Sequence, residues 1–232
     1  MSYQEINDYL HSLADTEIAR HSQRYFKTAP GEYGHGDKFL GIRVPVIRKA
    51  VKRYADTALP VSTRLLKSEY HEIRLFALLL YVLQFSGSDE KQQQTIYELY
   101  LNHTRYINNW DLVDSSAHKI VGAYLENRDR AVLYKLSASA SLWERRIAII
   151  ATAHFISNGQ FEDTLKISRQ LIDDREDLIH KAVGWMLREV GKRDKRAEIS
   201  FLEKHYRKMP RTMLRYAIEK FSEEERLRFL HR

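Results

Sequence analysis

Lys181-Ala182-Val183-Gly184 is a cation followed by three small or apolar residues, and the same grouping stands at Arg74-Leu-Phe-Ala77, Arg146-Ile-Ala-Ile149 and Arg215-Tyr-Ala-Ile218. Taken in chain order, their first residues lie 72, 35 and 34 positions apart, so the first interval holds two periods. The absent member falls near position 110, where the chain reads Trp110-Asp-Leu-Val-Asp114 instead. A period of roughly 35 to 45 residues is that of stacked helix pairs, because one pair alone cannot bury its own apolar face. The fold expected is all-α: an α-solenoid of antiparallel helix pairs with a basic concave face, occupying residues 1–232 as a single domain.

Composition agrees with packed helices. Of 232 residues 44% are hydrophobic, enough to fill a continuous core, and with 9 Gly and 4 Pro the turn formers are scarce. Helical spacing of apolar residues predicts helices near 17–27, 45–54, 70–85, 89–102, 111–125, 141–157, 160–171, 176–191, 195–207 and 211–221. Between the first two lies the one pronounced loop, Pro30-Gly-Glu-Tyr-Gly-His-Gly-Asp-Lys-Phe-Leu-Gly41. Its glycines lack the spacing and the preceding strand of a phosphate-binding loop, so it is read as a flexible connection whose Phe39 and Leu40 tuck against a helix.

A net charge of +7 favours anionic partners, nucleic acid first. Residues 186 to 232 hold 14 Lys and Arg against 8 Asp and Glu and carry most of that excess. If the repeated helices are equivalent, Arg74, Arg146, Lys181 and Arg215 form a row of cations on one side; taken singly, each is equally well a solvated residue beside a core helix. There is no apolar run of about 18 residues, and the N-terminus, Met-Ser-Tyr-Gln-Glu-Ile-Asn, lacks the long apolar stretch of a secretory signal. The expected setting is cytoplasmic, associated with the nucleoid when bound to DNA, with no membrane contact. Without cysteine, thiol nucleophiles, disulfides and zinc fingers are excluded. The ten histidines form no metal-binding motif, and His118 and His180 are read as packed or exposed helix residues; no metal is expected.

Where other repeats place a cation, the segment at 110 places an indole and two carboxylates. Four residues apart on a helix, Trp110 and Asp114 share a face. Asp111 is read as a helix cap, whereas Asp114 lies a turn inside, where capping explains it less well. Trp185 follows Lys181 by four residues and projects one turn beyond the basic row. The expected cluster is Asp114, Trp110, Trp185 and Arg146 on neighbouring repeats, although a tryptophan in a repeat helix is more often core than ligand platform.

At these residues the sequence resembles the AlkD-type DNA alkylation repair glycosylases, a HEAT-like repeat family. The resemblance is carried by Arg24-Tyr-Phe-Lys27, Phe39-Leu-Gly-Ile-Arg-Val-Pro45, Asn109-Trp-Asp-Leu-Val-Asp-Ser115, Leu142-Trp-Glu-Arg-Arg-Ile-Ala148 and His180-Lys-Ala-Val-Gly-Trp-Met-Leu-Arg-Glu189. It implies Asp114 as the catalytic aspartate, Trp110 and Trp185 as active-site tryptophans, and Arg146 as an active-site arginine. Tyr25, Arg43, Arg74, Arg145, Lys181 and Arg215 are expected to contact DNA. The implied reaction is cofactor-free, monofunctional hydrolysis of N3- and N7-alkylpurines from double-stranded DNA, by a monomer. An alkylated purine already carries positive charge and leaves neutral, so one carboxylate can suffice, stabilising the oxocarbenium-like sugar and orienting water. Two other readings of the same repeat are a non-catalytic protein binding damaged or branched DNA and a protein-interaction scaffold.

Overall fold

The computed structural model describes residues 1–231. It is all-α: among the described residues the sole strand-like feature is an isolated bridge between Lys38 and Tyr70. The chain divides into two compact units, Met1–Ser116 and Ala117–Arg232. No helix among the described residues is long and apolar enough to cross a membrane.

The first unit contains α1 (Tyr3–Ser12), α2 (Thr16–Tyr25), α3 (Val44–Arg53), α4 (Leu59–Leu66), α5 (His71–Ser86), α6 (Glu90–Asn102) and all but the last residue of α7 (Trp110–Ala117). Its centre is α5, against which α3, α4 and α6 pack. That helix is buried nearly all round, Ile73, Phe76, Leu78, Leu80 and Tyr81 being wholly inaccessible. By contrast α2 has no fully buried residue. It starts on Asp15, whose carboxylate accepts from the N–H groups of Glu17 and Ile18, and stops at Phe26. Lys27 then takes φ 52°, in the left-handed region. Lys27 N–H donates to the Arg24 carbonyl at 3.3 Å and Thr28 N–H to that of Gln23 at 3.2 Å, a Schellman closure that fixes the direction of Tyr25 and Phe26.

The end of the glycine-bearing loop is fastened to α5. The Leu40, Gly41 and Ile42 N–H groups donate to the buried Glu72 carboxylate at 2.9, 2.8 and 3.3 Å. Gly41 holds φ +83° with its α-carbon against α2: a β-carbon would lie 2.0 Å from the Asp15 carbonyl oxygen. Phe39 and Leu40 are buried, as their apolar character requires.

The second unit opens with a π-helical turn, His118–Gly122, where one regular helix over 111–125 is expected from spacing. It continues through α8 (Ala131–Ser137), α9 (Leu142–Ala151), α10 (Ala153–Ser157), α11 (Glu162–Gln170), α12 (Asp177–Gly191), α13 (Lys195–His205), α14 (Arg211–Ala217) and α15 (Glu223–Leu230). Consecutive helices joined by short turns pack on each other, α8 on α9 and α12 on α13, and α14 lies closely against α12. The small residues of the repeated grouping make this approach possible. At Gly184 a β-carbon would stand 2.4 Å from the Met213 carbonyl oxygen and 2.5 Å from the Tyr216 β-carbon.

Candidate nucleic-acid interface and its carboxylate

In the first unit, α7 begins where the buried Asn109 side-chain oxygen accepts the Trp110 N–H at 2.8 Å. The cap is therefore Asn109, and Asp111, expected to cap, does something else. Its Oδ2 lies 2.8 Å from Nε2 of His71, a residue 2% exposed at the head of α5. The other ring nitrogen, Nδ1, is 3.5 Å from Asp37 Oδ2. Asp37 in turn accepts from Arg74 at 2.8 Å and from Asn108 at 3.2 Å through Oδ1.

This network sets protonation. Burial pushes the His71 imidazole towards neutrality, but the Asp111 charge and hydrogen bond, with the Asp37 contact, outweigh it and raise the pKa from 6.5 to about 9. Both ring N–H groups then donate, which a neutral ring cannot do. For Asp37, burial raises the pKa, yet the His71 hydrogen bond and the Arg74 charge prevail and hold it below its ordinary value.

Because the His71 proton is bound more tightly folded than unfolded, its contribution to stability is complete below pH 6.5 and is lost as pH rises through about 9. In the second unit the buried Glu198 carboxyl is raised from 4.5 to about 8, mainly by burial, against the pull of Lys195 and Arg188. It acts in the same direction, from pH 4.5 upwards. Urea unfolding followed from pH 4 to 10 is expected to show these two losses in turn, that of Glu198 in the lower range and that of His71 in the upper. His71→Gln should flatten the upper part of that profile and Glu198→Gln the lower; unaltered profiles would contradict the assignment.

Beside the network stands a cluster of rings. His71, Phe39 and Phe26 meet in a triangle, with Phe39–His71 at 4.7 Å, Phe26–Phe39 at 5.1 Å and Phe26–His71 at 4.8 Å, and Trp110 lies nearly parallel to Phe26 at 5.4 Å and 22°. Tyr25 closes edge-on against Trp110 at 6.1 Å and is 59% exposed. Arg20, Arg24 and Lys27 flank it on or just after α2, all exposed, as is Arg43 ahead of α3. The half-buried Asp114 lies one turn along α7 from Trp110. Its charge is felt by the fully buried Tyr100, whose hydroxyl, 3.0 Å from the Ser116 hydroxyl, has its pKa raised by burial foremost and by Asp114 in addition.

In the second unit Trp185 is half-buried on α12, beside a 280 Å³ cavity that His118, Glu189 and Arg193 also line. Its indole N–H donates to Glu189 at 3.2 Å, and Lys192 holds the same carboxylate oxygen at 2.6 Å. Arg146 on α9 is only 5% exposed, and its guanidinium donates to the Leu178 carbonyl. Arg145 is committed to Asp174 at 2.6 Å and to the carbonyls of Ser139 and Ala140. Lys181 pairs with Asp177 at 2.8 Å, and Arg215 is exposed.

Of the cations expected in a solvent-facing row, Arg74 and Arg146 are thus inside their units. Arg74 is drawn inward by Asp37 and Arg146 by the Leu178 carbonyl, whereas Lys181 and Arg215, with the same motif, keep solvent access. Sequence reasoning missed His71, Asp37 and the α2 cations Arg20 and Arg24. Among the described residues no group of three or more acidic, histidine or cysteine side chains is arranged to hold a metal.

The first unit is thus an all-helical body around a buried ionic network, with the exposed Tyr25 and the cations Arg20, Arg24 and Lys27 on or just after one helix and the Asp114 carboxylate on another. The chain belongs to the DNA alkylation repair enzyme family, which matches residues 6–221. Its fold is also that of a solved structure described as a predicted DNA alkylation repair enzyme from Enterococcus faecalis, with a TM-score of 0.70 at 16% identity, over 90% of this chain and 97% of that one. No curated protein matches the chain.

Proposed function

We propose that the chain is a monofunctional glycosylase that hydrolyses the N-glycosidic bond of cationic N3- and N7-alkylpurines in duplex DNA. One observation carries this reading: Asp114 sits a helical turn from Trp110, whose ring is clamped in the aromatic cluster beside the exposed Tyr25 and the cations of α2. An indole fixed in orientation offers its face to the sugar as positive charge develops there, a cation–π contribution, while the carboxylate stabilises that charge and orients water. No proton need be delivered to the base, which leaves neutral. Arg20, Arg24, Lys27 and Arg43 suit the phosphate backbone, and Tyr25 suits the sugar edge. From the second unit, Trp185 is assigned to the lesion strand by the family resemblance, with Lys181 and Arg215 as phosphate contacts, whereas Arg146 is held within the packing of α9 by the Leu178 carbonyl.

The test is incubation of excess protein with methylated duplex, followed by alkaline cleavage at abasic sites. Sites are expected at 7-methylguanine and 3-methyladenine positions. Tight, salt-sensitive binding without abasic sites would favour the non-catalytic DNA-binding reading instead.

A further inference from the structure

We infer that His71 is a positioning residue for α7: by holding Asp111 from beneath, it fixes the first turn of that helix and with it the plane of Trp110 and the placement of Asp114. The inference rests on the glycosylase reading for its catalytic consequence, but not for its geometry.

A chain of charge leads from one helix to the other. Arg74 donates to the Ser68 carbonyl at 3.1 Å and to Asp37 at 2.8 Å, Asp37 faces His71, and His71 ends on Asp111 at 2.8 Å. Each interior member has partners on two sides, so none is free to swing. Asp111 Oδ1 meanwhile accepts the Leu112 N–H at 2.9 Å, which ties the carboxylate to the helix turn it directs. The residue immediately before Asp111 is Trp110 and the third after it is Asp114.

The second link is the ring cluster. The imidazole lies against both Phe39, at 4.7 Å, and Phe26, at 4.8 Å, and Phe26 carries Trp110. His71 therefore reaches the indole by two routes, one ionic through Asp111 and one through packed rings. A buried ion pair costs much desolvation and seldom adds net stability over an apolar pair, so its presence here is better explained by the register it imposes. The charged and titratable groups facing His71 are Asp37 from the loop, Asp111 from α7 and Arg74 from α5. His71 and Asp111 also line a 410 Å³ cavity in this unit, together with His21, Arg43 and Glu72.

The two ring nitrogens can be separated by substitution. In His71→Gln the amide nitrogen reaches where Nε2 stands and keeps a donor for Asp111; in His71→Asn it reaches where Nδ1 stands, and Asp111 loses its partner. Two readouts are taken: the Trp110 indole N–H resonance, assigned by its loss in Trp110→Phe, and single-turnover release of 7-methylguanine. His71→Asn is expected to move the resonance and slow release about 10- to 100-fold, the size of effect that follows a misplacement of about 1 Å, with DNA affinity nearly unchanged. His71→Gln should keep the resonance near its place and recover most of the rate.

Should His71→Asn fail to fold, Asp111→Ala breaks the same link from the other end and is expected to shift the resonance and the rate alike. A wild-type resonance and rate in these variants, or equal losses in His71→Asn and His71→Gln, would overturn the positioning role. If the wild-type protein releases no base, the glycosylase reading fails, and the resonance alone decides whether His71 positions Trp110.

Discussion

Asp114→Asn is expected to slow release of alkylpurines from methylated duplex by about a thousandfold while leaving DNA affinity nearly unchanged. The substitution keeps shape and removes charge. A carboxylate about 4 Å from a developing oxocarbenium ion, at an effective dielectric of about 20, is worth roughly 4 kcal/mol, and that is about three powers of ten in rate. Because the positive charge sits on the base in the bound substrate and passes to the sugar beside the carboxylate only as the glycosidic bond breaks, the loss falls mainly on the chemical step and not on binding. The position of Asp114 supports the expectation: it is half-buried, one turn inside α7, beyond the reach of a capping role that Asn109 already fills. Single-turnover rates of the two proteins measure it. An Asn variant as fast as wild type would remove Asp114 from the mechanism.

The largest effect on stability is expected from Gly184→Ala. The new methyl would press on the Met213 carbonyl oxygen at 2.4 Å and the Tyr216 β-carbon at 2.5 Å, with the Ala217 nitrogen at 3.2 Å. None of these atoms can move by a change of rotamer, so α12 and α14 must part. Their shared core of Val183, Leu187, Met213 and Leu214, all inaccessible to solvent, would have to repack. Overpacking of this kind costs about 3 kcal/mol, and a chain of this length then melts about 6–12 °C lower. Gly87→Ala is a suitable control, since its β-carbon would meet nothing nearer than the Leu83 carbonyl oxygen at 4.0 Å. Thermal unfolding of both variants checks the pair; a Gly184→Ala protein as stable as wild type would contradict the close approach. As Trp185 is the next residue, the same variant should also lose activity in excess of its loss of stability.

The helical class and the long helices are legible because their apolar residues recur over several turns, as in α5 and α12. Shorter helices escape that reading. In α8 only Leu133, Leu136 and Ser137 are buried, too few to make a period, and α4 opens near Pro60 after an irregular stretch. The start of α15 was written in the chain: Ser222 and Glu225 form a reciprocal capping box. The segment at 110 stands out because it departs from its repeat, and that departure is local.

The support beneath it is not local. His71 finds its partners 34 and 40 positions away, and Glu72 fastens a loop 30 to 32 positions upstream. A cation in a helix reads as solvated until the fold supplies a carboxylate. Arg74 is buried because Asp37, from a loop that reads as flexible, meets it there. The same blindness hid the role of Asp111, whose spacing suggests a cap and whose partner lies on another helix.

The most direct measurement of the central claim is chromatography of the small molecules released when excess purified protein is incubated with methylated duplex DNA, without added metal or cofactor. Free 7-methylguanine and 3-methyladenine should appear with first-order kinetics and be almost absent with Asp114→Asn. Bound DNA with no free base from the wild-type protein would contradict it.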